Sequence, residues 1–170
     1  MARSSRSEAE NSIIARTVVL SSLLLTGLFI AFTFLEKPLK QLAGNYADEV
    51  VVGLMLLSLW LVVSGAVRSM HSLRKNMPLL KLVLGGVLIA LVATVLFTGF
   101  LIFYPMVSRQ GEAASMMGAT LVLTGLFTGA GFVISIIALI QLKVKNRTLA
   151  GIIEFALLLL GLILFIYLVG

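Results

Sequence analysis

From Leu79 to Tyr104 the sequence reads LLKLVLGGVLIALVATVLFTGFLIFY, and Lys81 is the one charged residue in this stretch. A helix needs roughly 20 predominantly apolar residues to cross about 30 Å of hydrocarbon, because each residue advances it by about 1.5 Å. The stretch exceeds that length, so it predicts a transmembrane helix.

Four further apolar runs have the same character. Together with the first stretch they predict helices over about residues 17–35, 48–67, 79–104, 117–142 and 148–169. Hydrophobic residues make up 60% of the 170-residue chain, which leaves little sequence for a water-soluble domain. We predict an all-α fold, with one five-helix transmembrane domain over residues 17–170. Residues 1–16 are predicted to be a cytoplasmic segment, either a short helix at the headgroup surface or a disordered stretch.

The basic residues divide unequally when these five helices alternate in direction. Ten of the 13 Lys and Arg residues fall on the side of the N-terminus: Arg3, Arg6, Arg16, Arg68, Arg74, Lys75, Lys81, Lys143, Lys145 and Arg147. The other side holds Lys37, Lys40 and Arg109. Short loops rich in Lys and Arg stay in the cytoplasm, so we predict an internal N-terminus and an external C-terminus. The short loops and the abundance of Ala, Leu and Gly are typical of a multi-pass protein of a bacterial inner membrane.

Few side chains are available for catalysis or for binding a cofactor. The chain has no Cys and a single His, His71, which is predicted to lie in a solvated loop. One His with scattered carboxylates does not form a recognisable set of metal ligands. The net charge of +6 arises from loop residues on the cytoplasmic side, so it indicates contact with anionic lipid and not with nucleic acid. We predict no enzyme activity, no cofactor and no metal.

Glu154 lies inside the fifth apolar run, where an ionisable side chain needs a partner. One interpretation is structural: Glu154 stays near the inner interface and pairs with Lys81, whose long stem lets its ammonium reach toward water. The other is functional, because charges inside the bilayer often mark an ion or proton pathway. The chain shows no second acidic or His relay group at similar depth, which favours the structural pair.

The fourth run carries a stripe of small and hydroxyl-bearing residues. One face at helical spacing carries Thr120, Thr124, Thr128, Gly131 and Ser135, and Gly125 and Gly129 lie beside it. We refer to these seven residues together as the stripe. Gly125 and Gly129 form a G-x-x-x-G pair, which lets another helix backbone approach closely. The stripe predicts a packing seam, at the centre of the bundle or between two copies. The alternative is a small polar pathway lined by the threonines.

The prolines separate two architectures. Pro38, Pro78 and Pro105 are all predicted at helix boundaries, outside the apolar runs. Many secondary transporters instead bind their substrate where helices are broken at mid-membrane. Uninterrupted helices therefore favour packing over transport.

The stretch VSGAVRSM at residues 63–70, with Lys81, the pair Gly85 and Gly86, and residues 124–145, resembles a family of small bacterial inner-membrane proteins that is common in Bacteroidota. That family is a domain of unknown function, so the resemblance implies a fold and a location but no activity or functional residues. The fifth run is a departure from it, because family members end near the equivalent of Lys145.

These observations predict a non-catalytic membrane protein that acts as a structural or assembly subunit of a larger membrane complex. Its expected partners are the lipid bilayer and either other membrane subunits or further copies of itself. The alternative is a small transporter or channel that works as an oligomer. Its polar pathway would run near Glu154 and the face formed by Thr120, Thr124 and Thr128.

Overall fold

The computed structural model describes residues 2–73, 77–108 and 113–143, together with 152 and 156. In the described ranges the chain forms four long α-helices and one turn of 3-10 helix. The helices are α1 (Ala2–Ala43), α2 (Ala47–Leu73), α3 (Leu79–Ser108) and α4 (Ala113–Lys143), and the 3-10 turn is Gly44–Tyr46.

Helix α1 is much longer than its apolar run. Residues 2–16 are neither a separate surface helix nor disordered, since they continue without a break into the apolar part. Residues 2–16 contain no Gly or Pro, and the first glycine in the chain is Gly27. The sequence therefore has no helix-breaking residue between this segment and the apolar run. Pro38 also lies inside α1, and α3 continues past Pro105 to Ser108, so the predicted boundaries at these two prolines are wrong. Both prolines still lie beyond the apolar spans.

Helix α1 ends at Ala43, and the next residue, Gly44, has a φ of +56°. This left-handed conformation is easily adopted by glycine because glycine has no Cβ, and it commonly terminates helices. The chain then turns through Gly44–Tyr46 and enters α2 at Ala47. Asp48 and Glu49 therefore lie in the first turn of α2, where the sequence predicts them to favour the helix dipole.

Successive helices run in alternating directions. The contacts between α1 and α3 keep a constant offset, since Ser22 reaches the carbonyl of Ile89 and Thr26 that of Ala93, so these helices are parallel. Between α3 and α4 the order reverses, because Gly86 lies beside Ser135 and Gly131 lies beside Ala90. The two outer members of the bundle, α1 and α4, both pack against α2 and α3. The alternation on which the predicted topology rests holds for these four helices.

The interior is filled by side chains from all four helices, with Leu25, Leu59, Ile89 and Ser135 completely buried. The outer surface is apolar as well: Leu24 on α1 is 59% exposed and Val122 on α4 is 69% exposed. Such a surface suits a lipid environment, since a water-soluble monomer rarely exposes large apolar patches.

Four segments are long and apolar enough to cross a membrane. They are Glu10–Leu35, Val50–Leu73, Leu79–Phe103 and Thr124–Leu142. The protein is thus an all-α, multi-pass membrane protein. The predicted fifth helix, residues 148–169, lies outside the described residues except for 152 and 156, so the fifth crossing stays a prediction.

Candidate functional site

Helices α3 and α4 approach each other closely at Gly86 and Gly131. A Cβ added to Gly131 would lie well under 3.0 Å from the Cβ of Ala90, which is too close for two carbon atoms that are not bonded. A Cβ added to Gly86 would collide with the hydroxyl of Ser135. Neither helix has room for a larger residue at these positions. The absence of a side chain at both glycines lets the backbones approach, and close contact supplies the van der Waals attraction that holds helices together in lipid.

The hydroxyls at this contact bond within their own helices. Ser135 donates to the carbonyl oxygen of Gly131 at 2.7 Å, and Thr94 donates to that of Ala90 at 2.7 Å. Both side chains are buried, at 0% and 2% exposure. A hydroxyl that bonds to the preceding turn of its helix needs no water, so these residues can occupy an apolar interior.

The predicted stripe on α4 does not face a single neighbour. Gly131 and Ser135 face α3, whereas Gly125 and Gly129 are exposed and would have nothing within 4 Å of an added Cβ. Thr124 and Thr128 lie between these two faces and are half-buried, and the side chain of Thr120 lies outside the described part. The stripe is therefore divided into an inner seam (Gly131 and Ser135) and an outer glycine face (Gly125 and Gly129).

Thr128 differs from the other hydroxyl-bearing residues. Its Oγ1 atom is buried and, within the described part of the chain, has no hydrogen-bond partner. A buried hydroxyl without a partner costs roughly 1–3 kcal/mol. Among the buried side-chain nitrogen and oxygen atoms of the described residues, it is the one without a hydrogen-bond partner.

Helices α1 and α3 are joined by two hydroxyls that the sequence analysis did not single out. Ser22 donates to the carbonyl oxygen of Ile89 at 3.3 Å. Thr26 donates to the carbonyl oxygen of Ser22 at 2.8 Å, with that of Ala93 also within reach at 3.3 Å. The spacing of four residues puts both hydroxyls on one face of α1, and that spacing is the signal that the sequence offered. In lipid, interhelical hydrogen bonds of this type fix the register of two helices.

Three phenylalanines pack together beyond Ser22 and Thr26, around Phe29 further along α1. Phe29 is completely buried, and its ring centroid lies 5.4 Å from that of Phe97 and 5.1 Å from that of Phe127. Aromatic pairs at these distances attract by about 0.5–1.5 kcal/mol beyond the area that they bury. The cluster ties α1, α3 and α4 together and fills the space where they meet.

Lys81 has a partner that the sequence analysis did not name. Its ammonium Nζ lies 3.0 Å from a carboxylate oxygen of Glu10 and 3.4 Å from the side-chain oxygen of Asn11. The side chain of Glu10 is 9% exposed and that of Lys81 is 32% exposed. Glu154 lies outside the described residues, so the predicted pair with Lys81 stays a prediction. The sequence analysis does not identify Glu10 as a partner, because it predicts that residues 1–16 lie outside the bundle.

A second polar contact lies at the same end of the bundle. The guanidinium of Arg68 on α2 donates to the side-chain oxygen of Gln141 on α4. His71 is half-buried in the last turn of α2, so its predicted position in a loop is wrong. Within the described residues, no group of three or more His, Asp or Glu side chains could hold a metal ion.

Comparison of the chain with protein-family models, with curated proteins and with solved structures finds no match. The resemblance to small bacterial inner-membrane proteins of unknown function stays a prediction.

Proposed function

We propose that this membrane protein is non-catalytic and acts as a structural or assembly subunit of a larger membrane complex. The observation that carries the proposal is the outer glycine face of α4. Gly125 and Gly129 form a G-x-x-x-G pair that points away from α3, and no described residue covers it. In membranes such pairs allow two helix backbones to approach closely, which favours association with another helix.

The residues around the outer glycine face support an intermolecular contact. Val122, Phe132 and Val133 are exposed by 69%, 49% and 41%. A large side chain on either side of a glycine furrow gives a facing helix both a groove and a ridge to pack against. Lipid tails fill such a furrow less well, because their packing is not matched to its shape.

The interior of the bundle supports packing in preference to transport. Ser22 and Thr26 bond to backbone carbonyls, and Ser135 and Thr94 bond to their own helices. The phenylalanine cluster around Phe29 occupies the space between α1, α3 and α4. Polar groups used in this way hold the helices in position and are not free to replace the hydration shell of a solute.

The proposal includes a topology. The chain crosses a bacterial inner membrane five times, with its N-terminus inside and its C-terminus outside. Because the chain has no Cys, single cysteines can be introduced without background labelling. Gln41→Cys, exposed in the last turn of α1 beside the first outer connection, is expected to react with an impermeant maleimide in intact cells. Ser72→Cys, at the opposite end of α2, is expected to react only after lysis, and the reverse pattern would overturn the topology.

A second candidate is a transporter or channel formed by an oligomer, and Thr128 is the observation in its favour. Its buried hydroxyl lacks a described partner, as expected for a group that would meet a solute or water in a pathway. Flux into liposomes that is lost in Thr128→Val and in Glu154→Gln would support this candidate. Flux that is absent from the wild type, or unchanged in both variants, would count against it.

The proposed function is tested by the mass of the intact assembly after mild extraction into nanodiscs, with mass spectrometry of companion proteins. The wild type is expected to carry stoichiometric companions or further copies of itself. The double variant Gly125→Leu/Gly129→Leu should lose them, because leucine fills the furrow. The matched control is Gly27→Leu/Gly53→Leu, in which both glycines are also exposed with nothing within 4 Å. A wild-type monomer without companions, or equal loss in both double variants, would contradict the proposal.

A further inference from the structure

We propose that the exposed face near the start of the apolar part of α1 binds an anionic phospholipid, with Arg16 on its phosphate. This face is open, and its described residues all belong to α1. Its described lining residues are Ser12, Ala15, Arg16, Val19 and Leu20. This site is separate from the outer glycine face of α4, and it does not depend on the subunit function.

The lining residues place polar and apolar groups at different depths. Their spacing of three and four residues puts them on one face of α1, over roughly 12 Å from Ser12 to Leu20. Ser12 and Arg16 are at the end nearer the N-terminus. Val19 and Leu20, which are 56% and 59% exposed, continue into the apolar part. A phospholipid has the same order of groups, with a phosphate at one end and acyl chains beyond it.

Arg16 is suited to a phosphate because its charge is not matched within the described part of the chain. Lys81, at the same end of the bundle, pairs with Glu10, but no described residue forms an ion pair with Arg16. Guanidinium is always charged and can donate two parallel hydrogen bonds to one phosphate group. A cation at the edge of the hydrocarbon has a strong need for such a counter-ion.

Arg16 lies near the end of the apolar span of α1 that also carries Glu10. It directly precedes Thr17, where the uninterrupted apolar run begins, and it lies about 9 Å along α1 from Glu10. The Glu10 carboxylate, bound to Lys81, marks the level of the polar groups on the neighbouring helix. Arg16 thus lies about 9 Å inside the end of the apolar span Glu10–Leu35, a distance that an extended arginine side chain can bridge to reach the headgroups. Arginine side chains at this depth extend toward phosphates while their stems remain in apolar surroundings.

A lipid-contact measurement tests the site directly. Leu20→Cys, the only thiol in the chain, is labelled with bimane in bilayers that contain either brominated phosphatidylglycerol or brominated phosphatidylcholine. Quenching then gives the relative affinity of the two lipids for this position. We expect about a fivefold preference for phosphatidylglycerol, the effect of one basic residue near the surface.

In Arg16→Gln the two lipids are expected to bind about equally. In Arg16→Lys the preference for phosphatidylglycerol is expected to persist. The matched control is Lys40→Gln, which removes one charge from the other end of the same helix and should leave the preference unchanged. Equal quenching by both lipids in the wild type would overturn the proposal, as would an unchanged preference in Arg16→Gln. A preference that rises in Glu154→Gln would also overturn it, because the carboxylate of Glu154 would then be the partner of Arg16 in the wild type.

Discussion

Replacing Gly131 with alanine adds one methyl group at a tight contact between α3 and α4. The added Cβ would lie well under 3.0 Å from the Cβ of Ala90 and 3.9 Å from the carbonyl oxygen of Gly86. A Cβ is fixed by the backbone, so neither carbon can rotate away. Two carbons prefer a separation of about 3.5–4.0 Å, and α3 and α4 must therefore move apart by more than about 0.5 Å.

The expected cost follows from this displacement. Forcing a methyl group into a well-packed interface costs about 1–3 kcal/mol, which is a change of roughly 5- to 150-fold in the folding equilibrium. Gly125→Ala is the matched control, because it makes the same change on the same helix where nothing lies within 4 Å. Both variants gain the same helix propensity from the change of glycine to alanine. The difference between their free energies of unfolding therefore measures the effect of packing alone.

The assay is reversible unfolding in mixed micelles, followed by the fluorescence of Trp60, the only tryptophan in the chain. Gly131→Ala should be less stable than Gly125→Ala by about 1–3 kcal/mol. Adding Ala90→Gly removes the carbon that the new methyl group meets, so the double variant should recover most of the loss. Equal stability of the two single variants, or no recovery with Ala90→Gly, would refute the proposed contact.

Three further perturbations use the same unfolding assay. Lys81→Met leaves the carboxylate of Glu10 without the ammonium 3.0 Å away and should cost about 1–3 kcal/mol; if adding Glu10→Gln recovers none of it, the ion pair is not the cause. Ser22→Ala and Thr26→Val each remove a hydroxyl that reaches α3 and should cost about 0.6 kcal/mol, so a loss above about 2 kcal/mol from either would contradict that role. Phe29→Ala empties the centre of the phenylalanine cluster and should cost about 3–5 kcal/mol, whereas a neutral effect would show that the rings do not pack as described.

The apolar spans could be predicted from the sequence because length and composition suffice to define them. Four of the five predicted runs overlap described helices of the expected character, and those four helices alternate in direction. The limits of the helices could not be predicted equally well. An apolar run marks where a helix meets hydrocarbon, but α1 extends into polar residues on both sides and continues through Pro38 as far as Ala43.

The candidate site was less predictable because it depends on how each helix is rotated. Gly129 and Gly131 are two positions apart and therefore about 160° apart around α4, so a face that contacts α3 at one of them leaves the other outside. The sequence placed both in one stripe. The pair of Lys81 and Glu10 joins residues 71 positions apart, and their approach is determined by the packing of α1 against α3. No local pattern encodes such a contact.

Photocrosslinking in the native membrane tests the central claim most directly, that the outer glycine face contacts another helix. A photoreactive amino acid at position 129 is compared with one at position 27, since Gly129 and Gly27 are both exposed with nothing within 4 Å. The subunit proposal predicts a discrete protein adduct from position 129, either a second copy or one defined companion, and only lipid adducts from position 27. Lipid adducts alone from position 129 would contradict the claim.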